Sequence, residues 1–233
     1  MEKKCRFCNE GLDLTFADLG TSPLSNSFLK KFNLNKKESI FPLHAYVCRN
    51  CFLVQLEEFK SPDKIFNDYA YFSSYSETWI THAKEYVNNI VKRFNFNHNN
   101  FVIEIASNDG YLLQNFQKKN IPCLGVEPAE NVAEEAKKKG IKTLVKFFGK
   151  DTAKDISINQ RKADLLLGNN VLAHVPDINN FVEGMKILLN SDGIITMEFP
   201  HLMQLIEKNQ FDTIYHEHFS YLSFHTVIQI FEK

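Results

Sequence analysis

The sequence lacks an excess of charge of either sign. Lys and Arg number 27 against 28 Asp and Glu, for a formal net charge of -1, which excludes the basic field that nucleic acid or an anionic lipid surface would require. Lysines are interspersed with acids, and the run Lys137 to Lys139 reads as a solvated helix face. Long apolar runs are missing too: no segment approaches the ~18 uninterrupted residues of a membrane span. The opening "MEKKCRFC" is charged with no apolar stretch behind it, so a soluble cytoplasmic protein is expected. No internal repeat or low-complexity linker is visible. Cysteine is sparse, with five in 233 residues, which argues for thiolate chemistry or metal rather than a disulfide framework in an intracellular chain.

What is present is enough apolar material, 44% of 233 residues, for one full domain and a small appendage. Residues 1–60 are loop-rich, punctuated by Gly, Pro and Asn, and hold four of the five cysteines. Residues 61–96 form a connector in which "SETWITHAKEYVNNIVKRF" places Trp79, Ile80, Ala83, Tyr86, Val87, Ile90 and Val91 at helical spacing. Residues 97–233 then alternate. "FVIEIA", "PCLGVEP", "KTLVKFF", "ADLLLGNNVLA" and "GIITMEFP" read as strands; "GYLLQNFQKK", "AENVAEEAKKKG" with Gly140 as its cap, and "INNFVEGMKILLNSDG" read as helices. Repeated β-α-β with near-continuous apolar strands predicts an α/β fold with a doubly wound, mostly parallel sheet.

Cys5 and Cys8 form one C-x-x-C and Cys48 and Cys51 a second. Each such turn aims two thiolates at one ion, and two turns complete the tetrahedral site that zinc prefers. Four sulfurs leave no open coordination position, so this zinc should fold the N-terminal domain without doing chemistry. Cys123, in the apolar run "IPCLGV", reads as a buried small residue.

In "VIEIASNDGYLL" the dipeptide Asp109-Gly110 could be a hairpin turn, but Leu112, Leu113 and Phe116 fall on one helical face. The better reading is a strand ending in an acid, Glu104, then a tight turn, then a helix whose N-terminus faces the crevice where open α/β sheets bind ligands. A dinucleotide fold needs three glycines there, and only Gly110 is present, so NAD is disfavoured. The next strand ends in Glu127, an acid placed to accept both hydroxyls of a ribose. Two acids without a phosphate cradle suit a nucleoside ligand lacking phosphates, of which S-adenosylmethionine is the common one.

"YHEHFSYLSFH", Tyr215 to His225, leaves three readings open. A hydrolytic zinc site would want H-E-x-x-H, and Ser220 stands where the second His is required. His216, His218 and His225 could still share a metal, form a structural cluster, or serve as acid/base groups.

Taken together, Cys5/Cys8/Cys48/Cys51, "SNDGYLL", "GVEPA", "NNVLAHVPD" and "YHEHFSYLS" occur in the order found in sugar C-methyltransferases, and the chain resembles that family along essentially its whole length. The resemblance implies a class I S-adenosylmethionine-dependent methyltransferase, Rossmann-like, behind a zinc-binding domain. It implies a nucleotide-linked deoxy-keto sugar as substrate, no nucleic acid or membrane partner, and a monomer. Carbon methylation requires removing a proton beside a ketone and stabilising the oxyanion of the enolate. By analogy His218 is the base, Glu217 orients it or relays the proton, Tyr215 donates to the enolate oxygen, and His174 and Tyr69 complete the site. Packing would equally explain His174 or Tyr69. Cofactor contacts are expected from Glu104, Ala106, Asn108, Asp109, Gly110, Tyr111, Glu127 and Pro128, with Asn169 and Asn170 ending the fourth strand at the crevice.

Ala106 departs from the family pattern, which has glycine there, and should crowd the cofactor's methionine end. The chain also stops at Lys233, so the last strands of the sheet and a C-terminal domain are expected to be missing. Readings kept open are a cofactor- or sugar-binding protein without turnover, and a class I methyltransferase acting on nitrogen or oxygen of another small molecule.

Overall fold

The computed structural model describes residues 3–62 and 69–233. The chain divides into two compact units, one from Met1–Ile65, Leu172–Asn179 and Phe199–Lys233, the other from Phe66–Val171 and Asn180–Glu198. Both are discontinuous in sequence, which a reading in consecutive segments (1–60, 61–96, 97–233) does not express.

The second unit is built on a five-stranded sheet of β4 (Val102–Ile105), β5 (Cys123–Val126), β6 (Thr143–Leu144), β7 (Ala163–Asn169) and β8 (Leu189–Glu198). The order is β6-β5-β4-β7-β8, and every pair is parallel. The order reverses direction between β4 and β7, which is where doubly wound sheets open their ligand crevice. All four residues of β4 are buried, as a strand covered on both faces demands.

The connector helix α1 spans Glu77–Phe94. The Ser76 hydroxyl caps it by accepting the Trp79 N–H at 3.3 Å, and Asn95 ends it in the left-handed conformation. Ala83, Val87 and Ile90, spaced four and three apart, bury one face against Leu112, Leu113 and Phe116. The remaining helices are α2 (Leu113–Gln117), α3 (Glu130–Lys138), α4 (Lys150–Asn159) and α5 (Ile178–Leu188).

Gly140 closes α3 with φ +77°. Three elements are shorter than their sequence pattern: "GYLLQNFQKK" yields only five helical residues, "KTLVKFF" only Thr143–Leu144, and α5 stops at Leu188 because Leu189 already pairs with Ala163 in the sheet. Helix α4 was not legible, since of its ten residues only Thr152, Ala153 and Ile156 are buried.

The first unit is less loop-like than its Gly, Pro and Asn content suggests. It holds an antiparallel sheet of order β1-β2-β3-β9, formed by β1 (Leu14–Ser22), β2 (Phe41–Val47), β3 (Val54–Leu56) and β9 (Ser220–Tyr221). Helices α6 (Leu202–Glu207) and α7 (Phe224–Glu232) belong to the same unit. Its core joins Leu43, Ala45, Val54 and Leu56 to Leu202, Leu205, Ile214 and Tyr221. The far end of the chain thus completes a sheet begun near its start. Among the described residues no helix is long and apolar enough to cross a membrane.

Candidate functional site

The four N-terminal cysteines converge in the first unit. All four Sγ atoms lie within 4.8 Å of one another, with Cys5 to Cys51 and Cys8 to Cys48 each at 3.5 Å. Tetrahedral zinc with Zn–S of ~2.3 Å needs sulfurs roughly 3.8 Å apart, so the donor set fits a closed tetrathiolate site. The two knuckles meet because the β2–β3 turn carries Cys48 and Cys51 while Cys5 and Cys8 begin the chain. Among the described residues this is the one group of His, Cys, Asp or Glu arranged for a metal. His216, His218 and His225 therefore do not share one: His216 Nε2 donates to the Pro42 carbonyl at 2.9 Å, and His225, exposed, sits 2.7 Å from Gln229.

The expected cofactor turn is in the second unit. Ala106, Asn108 and Gly110 have φ of 55°, 49° and 75°, so three alternate residues adopt the left-handed conformation although only one is glycine. Gly110 is required on a second count, because a Cβ there would lie 2.3 Å from Ile141 Cδ1. The acids cluster around this turn. Glu127 accepts the N–H groups of Asn108 (2.8 Å) and Ala129 (2.9 Å), yet burial raises its pKa to about 7. Glu104 is driven well above the carboxylate range by burial and then by Glu127 and Asp109.

Both oxygens of Glu104, the Ser107 hydroxyl and Asp109 Oδ1 are buried with no hydrogen-bond partner among the described residues. Orphaned acceptors of this kind call for donors from a ligand. The ammonium and ribose hydroxyls of S-adenosylmethionine are such donors, so the residues fit that cofactor. Pro128 follows Glu127, Asn169 lies beside the Tyr111 hydroxyl, and Asn170, at φ 53°, donates its N–H to the Glu198 carbonyl at 2.7 Å. Tyr111 is buried, 6.2 Å from Trp79 in a stacked pair.

The structure adds contacts here that pattern did not reveal. Asn108 Oδ1 accepts the Ser73 N–H at 2.8 Å and its Nδ2 donates to the Tyr71 carbonyl at 3.1 Å. The Ser74 hydroxyl and Lys139 both bind the Asp109 carboxylate. Asn131 exchanges two hydrogen bonds with the backbone of Tyr69, at 3.2 and 2.8 Å. Tyr69 is thereby fixed near the cofactor turn, within the second unit.

The other four expected acid/base residues meet in the first unit. His218 Nδ1 lies 2.9 Å from the Thr213 carbonyl, an acceptor, so Nδ1 carries the proton and Nε2 presents its lone pair. That lone pair takes the Tyr215 hydroxyl at 2.9 Å. His174, in the single turn Leu172–His174, is likewise fixed as the Nδ1–H tautomer by the Glu217 carbonyl at 2.9 Å. The two imidazoles lie 4.6 Å apart, edge to face. Burial, and then the neighbouring His218, lowers the His174 pKa to about 3. Burial also lowers that of His218, against the opposing Thr213 bond. Tyr215 is pushed up to about 12 by burial and then by Glu217.

One expected role is corrected. Thr213, not Glu217, orients His218. The Glu217 carboxylate is taken by Asn26, whose Nδ2 reaches both oxygens at 2.8 and 2.7 Å, and by the Ser25 hydroxyl at 3.1 Å. Ser25 and Asn26 lie 192 and 191 positions upstream in an unpatterned stretch, and nothing in their spacing signals the contact.

The β6-β5-β4-β7-β8 sheet carries Glu104 on β4 and Glu127 just past β5, and the chain belongs to the methyltransferase family: the family model described as "Methyltransferase domain" matches residues 79–233, and a second, "Putative zinc binding domain", matches residues 5–66. The chain is 34% identical over 230 residues to C-methyltransferase NovU of Streptomyces niveus, covering 99% of this chain and 55% of that protein. It thus spans about half the length of its curated relative. Among solved structures it shares its fold with the PH0226 protein of Pyrococcus horikoshii OT3 (TM-score 0.56, 14% identity, 75% of this chain and 89% of that one). The same fold recurs in a SAM dependent methyltransferase from Archaeoglobus fulgidus (TM-score 0.52, 17% identity, 64% and 67% of the two chains).

Proposed function

We propose that the chain belongs to an S-adenosylmethionine-dependent C-methyltransferase that acts on a nucleotide-linked deoxy-keto sugar through an enolate formed by His218. The observation that carries this reading is the state of His218: neutral, buried, held as one tautomer by Thr213, with its Nε2 lone pair on the Tyr215 hydroxyl. The name of the Streptomyces niveus relative supports transfer to carbon.

S-adenosylmethionine, when bound, supplies an electrophilic methyl group on a sulfonium centre. In this reading Glu127 accepts its ribose hydroxyls, and the buried oxygens of Glu104, Ser107 and Asp109 that find no partner among the described residues receive its remaining donors. The turn through Ala106, Asn108 and Gly110, with Tyr111, Pro128, Asn169 and Asn170, shapes the rest of the cofactor site.

In the sugar, His218 Nε2 takes the proton from the carbon beside the ketone while the Thr213 carbonyl holds Nδ1–H of the resulting imidazolium. A low pKa keeps the imidazole unprotonated and ready to accept. Tyr215, kept protonated by burial and by the Glu217 carboxylate, is a hydrogen-bond donor for the enolate oxygen. Glu217 therefore acts on Tyr215, with Ser25 and Asn26 holding its carboxylate in place. His174 is a second neutral imidazole beside His218, and Tyr69, held by Asn131 in the second unit, keeps its proposed role.

The test is wash-in of deuterium at the carbon beside the ketone when the protein is incubated with the keto sugar in D2O, followed by transfer of a 13C-methyl group. His218→Gln should slow wash-in by about 10²- to 10⁴-fold and leave S-adenosylmethionine affinity unchanged. Unaltered wash-in in His218→Gln would overturn the assignment, and a product methylated on oxygen or nitrogen would overturn the reaction class.

A further inference from the structure

The cysteine knuckle is tied to the histidine pair by one side chain. Arg6 lies between Cys5 and Cys8, and its guanidinium reaches two carbonyls far away in sequence: Nη1 donates to Pro176 at 2.8 Å and Nη2 to Leu56. Pro176 is two residues past His174. The same guanidinium lies 5.4 Å from the ring centroid of Phe219, the neighbour of His218.

Backbone bonds close the circuit. Leu56 N–H donates to the Phe219 carbonyl at 3.1 Å, and Phe219 N–H donates to the Ala173 carbonyl at 2.8 Å. Asn179 Nδ2, beyond the His174 turn, donates back to the carbonyls of Arg6 (3.2 Å) and Phe7 (3.0 Å). Gln55 ties in the sulfur side. Its Oε1 accepts the Arg6 N–H at 2.9 Å, which turns its amide group toward Cys5 Sγ, 3.1 Å away, while its backbone pairs with Ser220 in the sheet.

The charge balance gives this arrangement a reason. Both groups that accept from the guanidinium are neutral carbonyls, Arg6 Nε is buried with no acceptor among the described residues, and the Glu58 carboxylate acts on the cation only through space. A sequestered cation needs a counter-charge. Zinc on four thiolates carries a net charge of about -2, and Cys5 is the next residue.

We propose that Arg6 is a positioning residue, counter-ion to the zinc tetrathiolate and clamp on the segments that carry His174 and His218, so that metal occupancy sets the geometry of the histidine pair. Zinc then does more than fold the unit. Loss of the metal removes the counter-charge supplied through Cys5 and loosens the hold on Pro176 and Leu56, and both imidazoles lose the backbone framework that fixes their tautomers. The catalytic meaning of this link rests on His218 being the base, but the link itself does not.

The test uses the zinc-loaded 233-residue protein with 15N-labelled histidine, read by long-range 1H–15N correlation of the imidazole rings. In the wild type both His174 and His218 should appear as Nδ1–H tautomers. Arg6→Met should keep its zinc, with affinity reduced about 10-fold in chelator competition, a loss at the low end for an outer-shell partner. The ring signals of both histidines should move toward tautomer averaging. Arg6→Lys, which restores the charge without the fork, should recover zinc affinity but not the ring signals. Zinc-loaded Arg6→Met with both rings unchanged would overturn the proposal.

Should Arg6→Met not fold, Asn179→Ala removes the return bonds to the knuckle together with a 3.5 Å contact from the exposed Lys233, which Lys233→Ala removes alone as the control. Displacement of the His174 ring supports the clamp, and an unchanged ring refutes it. Because no turnover is measured, the proposal and the assignment of His218 as base fail separately. Moved rings with normal wash-in by His218→Gln would retain the first and remove the second.

Discussion

Replacing Ala106 by glycine is expected to stabilise the second unit. Ala106 sits at φ 55°, where an L-residue with a Cβ meets the following carbonyl at a cost of ~1–2 kcal/mol. Glycine removes that cost. It also adds freedom to the unfolded chain, which offsets ~0.4–1 kcal/mol. The difference is a net gain of about 0–1.6 kcal/mol, or a melting-temperature rise of up to ~6 °C for a unit of this size.

Trp79 is the only tryptophan of the chain and stacks on Tyr111 beside the same turn, so urea unfolding followed by tryptophan fluorescence reads this unit. Asn108→Gly should gain less, because asparagine tolerates the left-handed region. Gly110→Ala should lose stability outright, since both its φ and the 2.3 Å approach to Ile141 oppose a Cβ. A loss of stability in Ala106→Gly would refute the reasoning, showing that the Ala106 methyl contributes more by packing than its backbone costs. Tighter S-adenosylmethionine binding by the variant would add that the methyl also crowds the cofactor.

Zinc removal is expected to unfold the first unit, because a structural tetrathiolate contributes ~10–16 kcal/mol, more than most domains hold in reserve. Chelation or Cys48→Ser should abolish its circular-dichroism transition, and an unchanged transition would show that the Leu43 to Tyr221 core suffices. Stability should rise with pH between about 3 and 6.5. His174 stays neutral when folded but binds a proton when unfolded, so the unfolded state binds more protons in that window, by up to ~1.4 kcal/mol per pH unit, and His218, lowered by burial, contributes with the same sign. His174→Asn should flatten the slope, and an identical slope would count against it. Glu127 has the opposite sign: its folded pKa of about 7 lies above the unfolded value, so it costs stability as pH rises from 4.5. Its ionisation should tighten S-adenosylmethionine between pH 6 and 8, and Glu127→Gln should bind with no pH dependence in calorimetry.

What the sequence made legible, and what it hid, follows from how far each determinant reaches. The parallel sheet was legible because β4, β5 and β7 are apolar on both faces and the connector helix repeats at 3.6 residues, both local properties. The zinc ligands were legible because each C-x-x-C is a local turn. The glycine argument at residues 106 to 110 was weaker than it looked. Glycine is needed only for a left-handed backbone, and Ala106 and Asn108 reach that backbone without being glycine, held by Ala106 N–H on Val126 O (2.8 Å) and Asn108 N–H on Glu127. Counting glycines measured the cost of the turn and not its presence.

The histidine signature showed the opposite limit. Its residue types announced chemistry, but the atoms that assign roles are backbone carbonyls and distant amides: Thr213 O for His218, Glu217 O for His174, Asn26 for the Glu217 carboxylate. A carbonyl has no letter of its own in a sequence, so the motif drew attention to these side chains but could not show the backbone groups that fix their rings. Side-chain identity specifies which protons a site can move. The fold, through neutral backbone groups any residue would supply, specifies which nitrogen holds them, and that information appears only when residues 26, 174 and 213 to 218 are brought into one unit.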